Sequence, residues 1–345
     1  MAKILILGAG SMGTAFSLPC VDNNHNVFVV GTHLENEFID KINATKIHPI
    51  LNCKISEKVK FLKFEKLGEI IKKEIDLIVI AVISKGIEWA SIEINKLTKE
   101  NIPILILTKG LAIHGDSYEV LAHKVERLLK KHGTQKTNIT AAGGPCLAKG
   151  LVNKIHTSVV FANTNIKEAE KISKLVSTEY YHIFTSDDVI GVETCAAIKN
   201  IFSMIVGASK GLCYSSPSQT TNNNIYLNTA AALVQESIYE MIIFTEKLKG
   251  KKETVFGLAG IGDLYVSVDG GRNSKMGQYL GEGMTYSEAK KIKMPNETIE
   301  GADLALEIGQ KTKNEFRNNE LPLMISMIDT ISNEVPLKIE WKHFK

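Results

Sequence analysis

Three segments of this chain carry residue types that chemistry uses. Gly8-Ala-Gly-Ser-Met-Gly13 follows a short aliphatic run, Lys3–Leu7. Asp188–Asn200 sets Lys199 beside Ala196, Ala197 and Ile198, with Cys195 and Val192 just before them. Gly257–Asn273 reads as a glycine-laced loop holding Asp263 and Arg272. Only three arginines occur (Arg127, Arg272 and Arg317), and nearly every other basic residue is lysine. An arginine kept in such a loop points to geometry as well as charge. Its guanidinium fork grips a phosphate or carboxylate bidentately, which an ammonium cannot do.

The glycine segment has the spacing of a dinucleotide turn. Gly8 allows a tight turn, Gly10 lets a pyrophosphate approach the backbone, and Gly13 permits close helix–strand contact. The amides of a helix starting near Met12 then face the phosphates. The residue about 20 positions further on, at the end of the second strand, selects between the two nicotinamide cofactors. Here Gly31-Thr32-His33 stand at that place, and Glu35 comes late. Thr32 and His33 can donate to a 2′-phosphate; His33 also reads as a surface loop residue. With no clear acidic or arginine selector, the cofactor is NAD(P).

Hydride transfer to a ketone needs an acid to protonate the developing alkoxide, and a lysine tuned by its neighbours can supply it. A lysine on an apolar helix is costly unless it snorkels or faces a cleft. Both readings of Lys199 stand at this point.

The elements that must position these residues fall into two patterns. The first half alternates strands and helices. Lys3–Leu7 and Asn26–Val30 read as strands, with a helix over Met12–Asp22 that Pro19 must bend or shorten. Leu77–Val82 and Pro103–Thr108 are uninterrupted apolar runs, as in parallel strands buried on both faces. Asp116–His132 reads as a helix and Thr137–Ala142 as a strand. Beyond Asp187 the periodicity is helical: Val189–Gly207, Asn228–Lys249, Tyr286–Lys293, Gly301–Thr312 and Pro322–Ile331. Tyr214–Asn224 reads as a polar loop. The predicted class is an α/β Rossmann-type doubly wound sheet over residues 1–187, followed by an all-α domain over 188–345, with the site between them.

Composition narrows the partners. The chain has 345 residues, 44% hydrophobic and 23% charged, ordinary for a globular enzyme. A net charge of +3 is too small to argue for nucleic acid. The five cysteines show no CxxC pair or metal spacing, so free thiols in a cytoplasmic protein and no metal are expected. No apolar run is expected to approach the ~18 residues that span a bilayer, and no signal peptide is read.

The chain resembles the soluble NAD(P)-dependent glycerol-3-phosphate dehydrogenases. The matching blocks are Gly8–Gly13, Thr108-Lys-Gly-Leu111, Gly144-Pro145 with Ala148, Val192–Asn200, Gly257–Asp263, Gly271-Arg-Asn273 and Glu300-Gly301. They occur in the family's order over roughly residues 4 to 310. The Lys-Asn and Gly-Arg-Asn blocks are specific, whereas many dehydrogenases share the glycine turn. The resemblance implies that Lys199 is the acid for reduction and the base for oxidation, paired with and tuned by Asp263. It implies that Arg272 and Asn273 clamp a substrate phosphate, with Asn200, Ser267, Gly271, Gly144 and Cys146 nearby. Lys109 would lie between nicotinamide and substrate. Ser11, Met12, Ala148, Arg272 and Glu300 would touch the dinucleotide. A homodimer through the helical domain is also implied. Without the resemblance, Asp263 reads equally as a turn residue and Lys109 as a strand-end surface lysine.

Three departures bear on substrate more than on reaction class. Gly144-Pro-Cys-Leu-Ala148 replaces the family's Gly-Pro-Ser-aromatic-Ala, so Cys146 offers a thiol for a hydroxyl. Tyr214–Tyr226 is longer and more polar than usual, and Gln235 stands near an expected arginine. Ala81-Val-Ile-Ser84 replaces Ala-Val-Pro-Ser. The leading expectation is reversible conversion of dihydroxyacetone phosphate to sn-glycerol 3-phosphate. The alternatives are a dehydrogenase of another small phosphorylated ketone or polyol, and a silent dinucleotide sensor.

Overall fold

The computed structural model describes residues 1–71, 74–97, 102–214 and 225–344. They form two compact units, one of residues 1–109 with 120–189, the other of residues 110–119 with 190–345.

The first unit is built on an eight-stranded sheet. Edge to edge its strands are Tyr181–Ser186, Thr157–Ala162, Ile139–Gly143, Ile104–Ile106, Leu77–Ile80, Lys3–Leu7, Asn26–Val30 and Val59–Leu62. All pairs are parallel except Ile139–Gly143 with Thr157–Ala162. Strands buried on both faces need no alternation, and Ile4–Leu7 and Leu77–Ile80 are accordingly all inaccessible to solvent. The helix predicted from Met12 runs Ser11–Asp22 and passes through Pro19 without stopping. Three strands of this sheet were not read from the sequence: Val59–Leu62, Thr157–Ala162 and Tyr181–Ser186.

Asp116–His132 is not one helix. Leu111–His114 and Ser117–Val120 form a two-stranded hairpin, and the helix is Leu121–Lys131. Gly115 turns the hairpin at φ +56°. Tyr118 leaves helical register because its ring meets Phe244 edge-on at 5.2 Å and its hydroxyl lies 3.1 Å from Thr312 Oγ1. These partners lie far along the chain, beyond the reach of local periodicity.

The second unit is otherwise helical. Its axis is Val189–Tyr214, which continues well past the predicted end at Gly207. By length and composition Val189–Cys213 could cross a membrane, with mean hydropathy 1.6, so the expectation of no such run is corrected. Yet 94% of its apolar window is buried inside the protein, which is how a core helix looks. Of the polar stretch Tyr214–Asn224, residues 215–224 lie outside the described residues. The remaining helices include Leu227–Lys247, Tyr286–Ile292, Glu300–Glu315 and Pro322–Ser332. Glu240, fully buried on the second helix, accepts from Leu323 N at 2.5 Å and Met324 N at 2.8 Å. It thereby caps the Pro322–Ser332 helix from outside, satisfying amides that have no partner within that helix.

The glycine-laced segment is mostly helical rather than a loop. Leu258–Gly262 is one π-helical turn, Asp263–Val268 an α-helix, and Arg272–Gly281 another. The last crosses Val189–Tyr214 with its backbone pressed on its partner's. A Cβ on Gly277 would stand 1.8 Å from Met204 O, one on Gly281 2.3 Å from Ala208 O, and one on Gly207 2.2 Å from Ser274 O. Alanine normally improves a helix interior by about 1 kcal/mol over glycine. Here the added methyl meets backbone that cannot move aside, so overpacking wins. Gly277→Ala is expected to lower unfolding free energy by a net ~1–3 kcal/mol. Urea denaturation reads this, and an unchanged or raised midpoint would contradict so close a crossing.

Candidate active site

The first unit presents the glycine turn. Gly8 has φ +109°, and a Cβ there would lie 2.7 Å from Ala81 O. A Cβ on Gly13 would lie 2.2 Å from Gly8 O, whereas one on Gly10 would meet nothing within 4 Å. Turn, open approach and close helix contact thus stand at the first, second and third glycine, the demands of a pyrophosphate site. Ser11 and Met12, both half-buried, open the helix whose amides face that gap. Gly8 N donates to Val30 O at 2.9 Å, tying the turn to the second strand. The residues of this unit fit a dinucleotide.

The end of that second strand differs from the sequence reading. Thr32 is half-buried and His33 exposed, its ring 6.0 Å from Trp89. Glu35, read as too late in the chain, turns back. Its Oε2 accepts from Thr32 N at 2.7 Å and from Ala9 N at 3.4 Å. The carbonyl of Ala9 is held by Thr14 Oγ1 at 3.0 Å and lies 3.3 Å from His48 Nε2. His48 is fully buried, and desolvation lowers its pKa below the ordinary imidazole value. Neither Glu35 nor His48 was singled out as a site residue. A carboxylate five residues past the strand end was the one available signal.

Also in the first unit, Lys109 Nζ donates to Gly144 O at 3.1 Å, and Gly144 has φ +108°. Cys146 packs half-buried against that unit's core, and Ala148 begins the short helix Ala148–Val152.

The second unit holds the other residues. Lys199 is only 7% exposed and Asp263 1%. Their side chains form an ion pair, Nζ to Oδ1, at 3.0 Å. Lys199 Nζ also donates to Ser267 Oγ in a very short contact, and Ser267 Oγ donates to Asp263 O at 2.7 Å. Ser267, placed by the resemblance near a substrate phosphate, is here a direct partner of the lysine. One helical turn separates Asp263 from Ser267, so a single short helix supplies both partners.

Asn200 follows Lys199 on the same helix. Asn273 Nδ2 donates to Asn200 Oδ1 at 3.0 Å, and Asn273 Oδ1 accepts from Gly301 N at 2.9 Å. The Asn273 amide therefore joins three helices and caps the one beginning at Glu300. Arg272 opens its own helix after Gly271, where first-turn amides and the helix dipole favour an anion. Arg272 Nη2 pairs with Glu300 Oε1 at 3.1 Å, both side chains about half exposed. At that exposure the pair contributes at most about 1 kcal/mol, so an anion with two oxygens for the fork competes well.

Residues 3–169 match the family described as NAD-dependent glycerol-3-phosphate dehydrogenase N-terminus, and residues 188–341 match its C-terminus. The chain is 31% identical over 286 residues to a protein of Archaeoglobus fulgidus named NADP(+)-dependent glycerol-3-phosphate dehydrogenase, covering 83% of this chain and 82% of the relative. It is 30% identical over 328 residues to glycerol-3-phosphate dehydrogenase [NAD(P)+] of Francisella tularensis subsp. mediasiatica, covering 94% and 91%. Among solved structures, glycerol-3-phosphate dehydrogenase from Coxiella burnetii superposes with TM-score 0.80 at 25% identity, covering 97% of this chain and 96% of that one. The yeast enzyme superposes with TM-score 0.82 at 17% identity over 100% and 99%, which speaks for the fold alone. The chain belongs to the NAD-dependent glycerol-3-phosphate dehydrogenase family and is an NAD(P)-dependent oxidoreductase.

Proposed function

We propose that this chain interconverts dihydroxyacetone phosphate and sn-glycerol 3-phosphate, with Lys199 as its acid and base. The buried Lys199–Asp263 pair carries the reading. A structural lysine gains little from such burial, because desolvating two charges costs as much as their attraction returns. A proton donor to a nascent alkoxide gains a fixed position and a dry setting. The nicotinamide, when bound, supplies or takes the hydride. Lys199 gives its proton to the alkoxide oxygen in reduction and takes it back in oxidation. Asp263 and Ser267 keep Nζ in one rotamer, so the proton is delivered to one place.

The first unit binds the dinucleotide in this reading. Gly8, Gly10, Ser11, Met12 and Gly13 receive the pyrophosphate, Thr32 and His33 the adenosine end. Lys109, held by Gly144 O, and Ala148 serve the reacting end. In the second unit the Arg272 fork and the first-turn amides at Gly271, Arg272 and Asn273 receive the substrate phosphate. Asn200 completes that wall, and Arg272 and Glu300 also touch the dinucleotide; the Asn273 side chain is already committed to Asn200 and Gly301. Supply of the product for phospholipid synthesis, a cytoplasmic setting and a homodimer belong to the same proposal, supported by family resemblance. Division at residues 187/188 is the sequence-based proposal for the domains.

Cys146 gives a second reading some support, because a thiol stands where the resemblance implies a hydroxyl near substrate. Oxidation of NADH and NADPH with dihydroxyacetone phosphate, beside a panel of small phospho-ketones, separates the two. Another ketone preferred by a wide margin refutes the first. Cofactor binding without turnover of any of them favours a sensor.

Lys199→Ala is expected to lower kcat by about 10²–10⁴-fold while NAD(P)H titration stays near wild type, which also reports on folding. Retained turnover would remove Lys199 from its role. Arg272→Lys loses the fork but keeps the charge, so KM for the phosphorylated substrate should rise about tenfold or more. A normal KM in that variant would dismiss the phosphate clamp.

A further inference from the structure

The selector of the cofactor's ribose is the question that the sequence left open. The second strand ends at Val30, and Gly31 and Thr32 lead away from it. Glu35 stands just ahead of the helix Asn36–Thr45 and folds back over this corner. Gly31 admits the fold-back, since a Cβ there would lie 3.2 Å from Glu35 Cβ and 3.0 Å from Ile39 Cγ1. One carboxylate oxygen, Oε2, is spent on Thr32 N and Ala9 N. Ala9 lies inside the glycine turn itself, so the carboxylate bridges the strand end and the pyrophosphate-binding segment. The other oxygen, Oε1, makes no hydrogen bond or ion pair among the described residues. Glu35 is half-buried, so that oxygen remains open to a ligand.

We propose that Glu35 is the specificity-determining residue for the dinucleotide: Oε1 accepts a hydroxyl of an unphosphorylated ribose, and the carboxylate repels a 2′-phosphate, so that the chain prefers NADH to NADPH. This rests on the dinucleotide reading of the first unit. A 2′-phosphate needs cationic donors, above all arginine, at the end of the second strand. Val29–Asn36 contains no arginine or lysine, and the chain's three arginines lie at 127, 272 and 317. Placed there instead is an anion whose position two backbone amides already fix. A fixed carboxylate cannot swing away from a phosphate as a free one would, and this is how a site rejects a near-identical ligand. Thr32 and His33 remain at the same corner, as neighbours of the ribose rather than as phosphate ligands.

The test is direct titration of the full-length protein with NADH and with NADPH, followed by fluorescence, on wild type and Glu35→Gln. Glutamine keeps an oxygen for Thr32 N and removes the charge. Wild type is expected to bind NADH about tenfold or more tighter than NADPH. In Glu35→Gln the ratio should fall to about threefold or less, mainly through tighter NADPH binding. Equal affinities or NADPH preference in wild type would overturn the inference, as would an unchanged ratio in the variant. The wild-type ratio stands even if the variant folds poorly. Failure of both dinucleotides to bind would instead overturn the dinucleotide reading, and the inference with it.

Discussion

The second unit depends on two helix backbones touching. Val189–Tyr214 and Arg272–Gly281 approach so closely that a Cβ on Gly207, Gly277 or Gly281 would overlap a carbonyl of the other helix. Gly211 makes the same approach, its Cβ falling 2.1 Å from Gln278 O. The spacing of four between Gly207 and Gly211, and between Gly277 and Gly281, puts each pair on one helix face. Small faces of this kind leave no side chains to act as spacers, so the two helices have one permitted register. That register carries Lys199 and Asn200 on one helix and Arg272 and Asn273 on the other. A third contact completes it, since a Cβ on Gly301 would stand 2.5 Å from Asn200 O. The helix positions of Lys199 and Arg272 are thus set by backbone packing, which side-chain motion alters little.

Polar bonds then add direction to this packing. Asn273 spends its amide on Asn200 and on Gly301 N, so one side chain links all three helices. Lys199, Asp263 and Ser267 form a second small network in the same unit. Removing one member of a buried ion pair typically costs about 3–5 kcal/mol, because the other charge is left unpaired. Such networks rigidify when complete and penalise when broken. The arrangement favours a fixed ammonium over a mobile one.

Much of this was legible in the chain. The glycine turn and the buried strands of the first unit are local patterns, with spacings of a few residues, and periodicity reports them well. The helices after Asp187 were readable for the same reason. Asp116–His132 misled because apolar spacing fits a helix there, whereas Tyr118 obeys Phe244 and Thr312, more than a hundred residues away. Gly257–Asn273 misled in the opposite sense. Its glycines read as breakers, yet Gly260 is present because a Cβ would lie 2.0 Å from Val255 O inside a compact helical turn. Glycine marks close backbone approach as well as loops.

The sequence by itself determined the inventory: a nucleotide turn, an apolar helix bearing one lysine, and an arginine–asparagine pair after glycines. Side-chain chemistry and short-range spacing suffice for these, since each depends on neighbours within one or two turns. Tertiary structure decided the pairings. Lys199 and Ser267 are 68 residues apart in the chain, and only the packed helices bring them into hydrogen-bonding contact. Glu35 looked too distant along the chain to matter, and the turn at Gly31 returns it to the glycine segment. Distance in sequence sets the entropy of bringing groups together, whereas packing and backbone hydrogen bonds decide which groups meet.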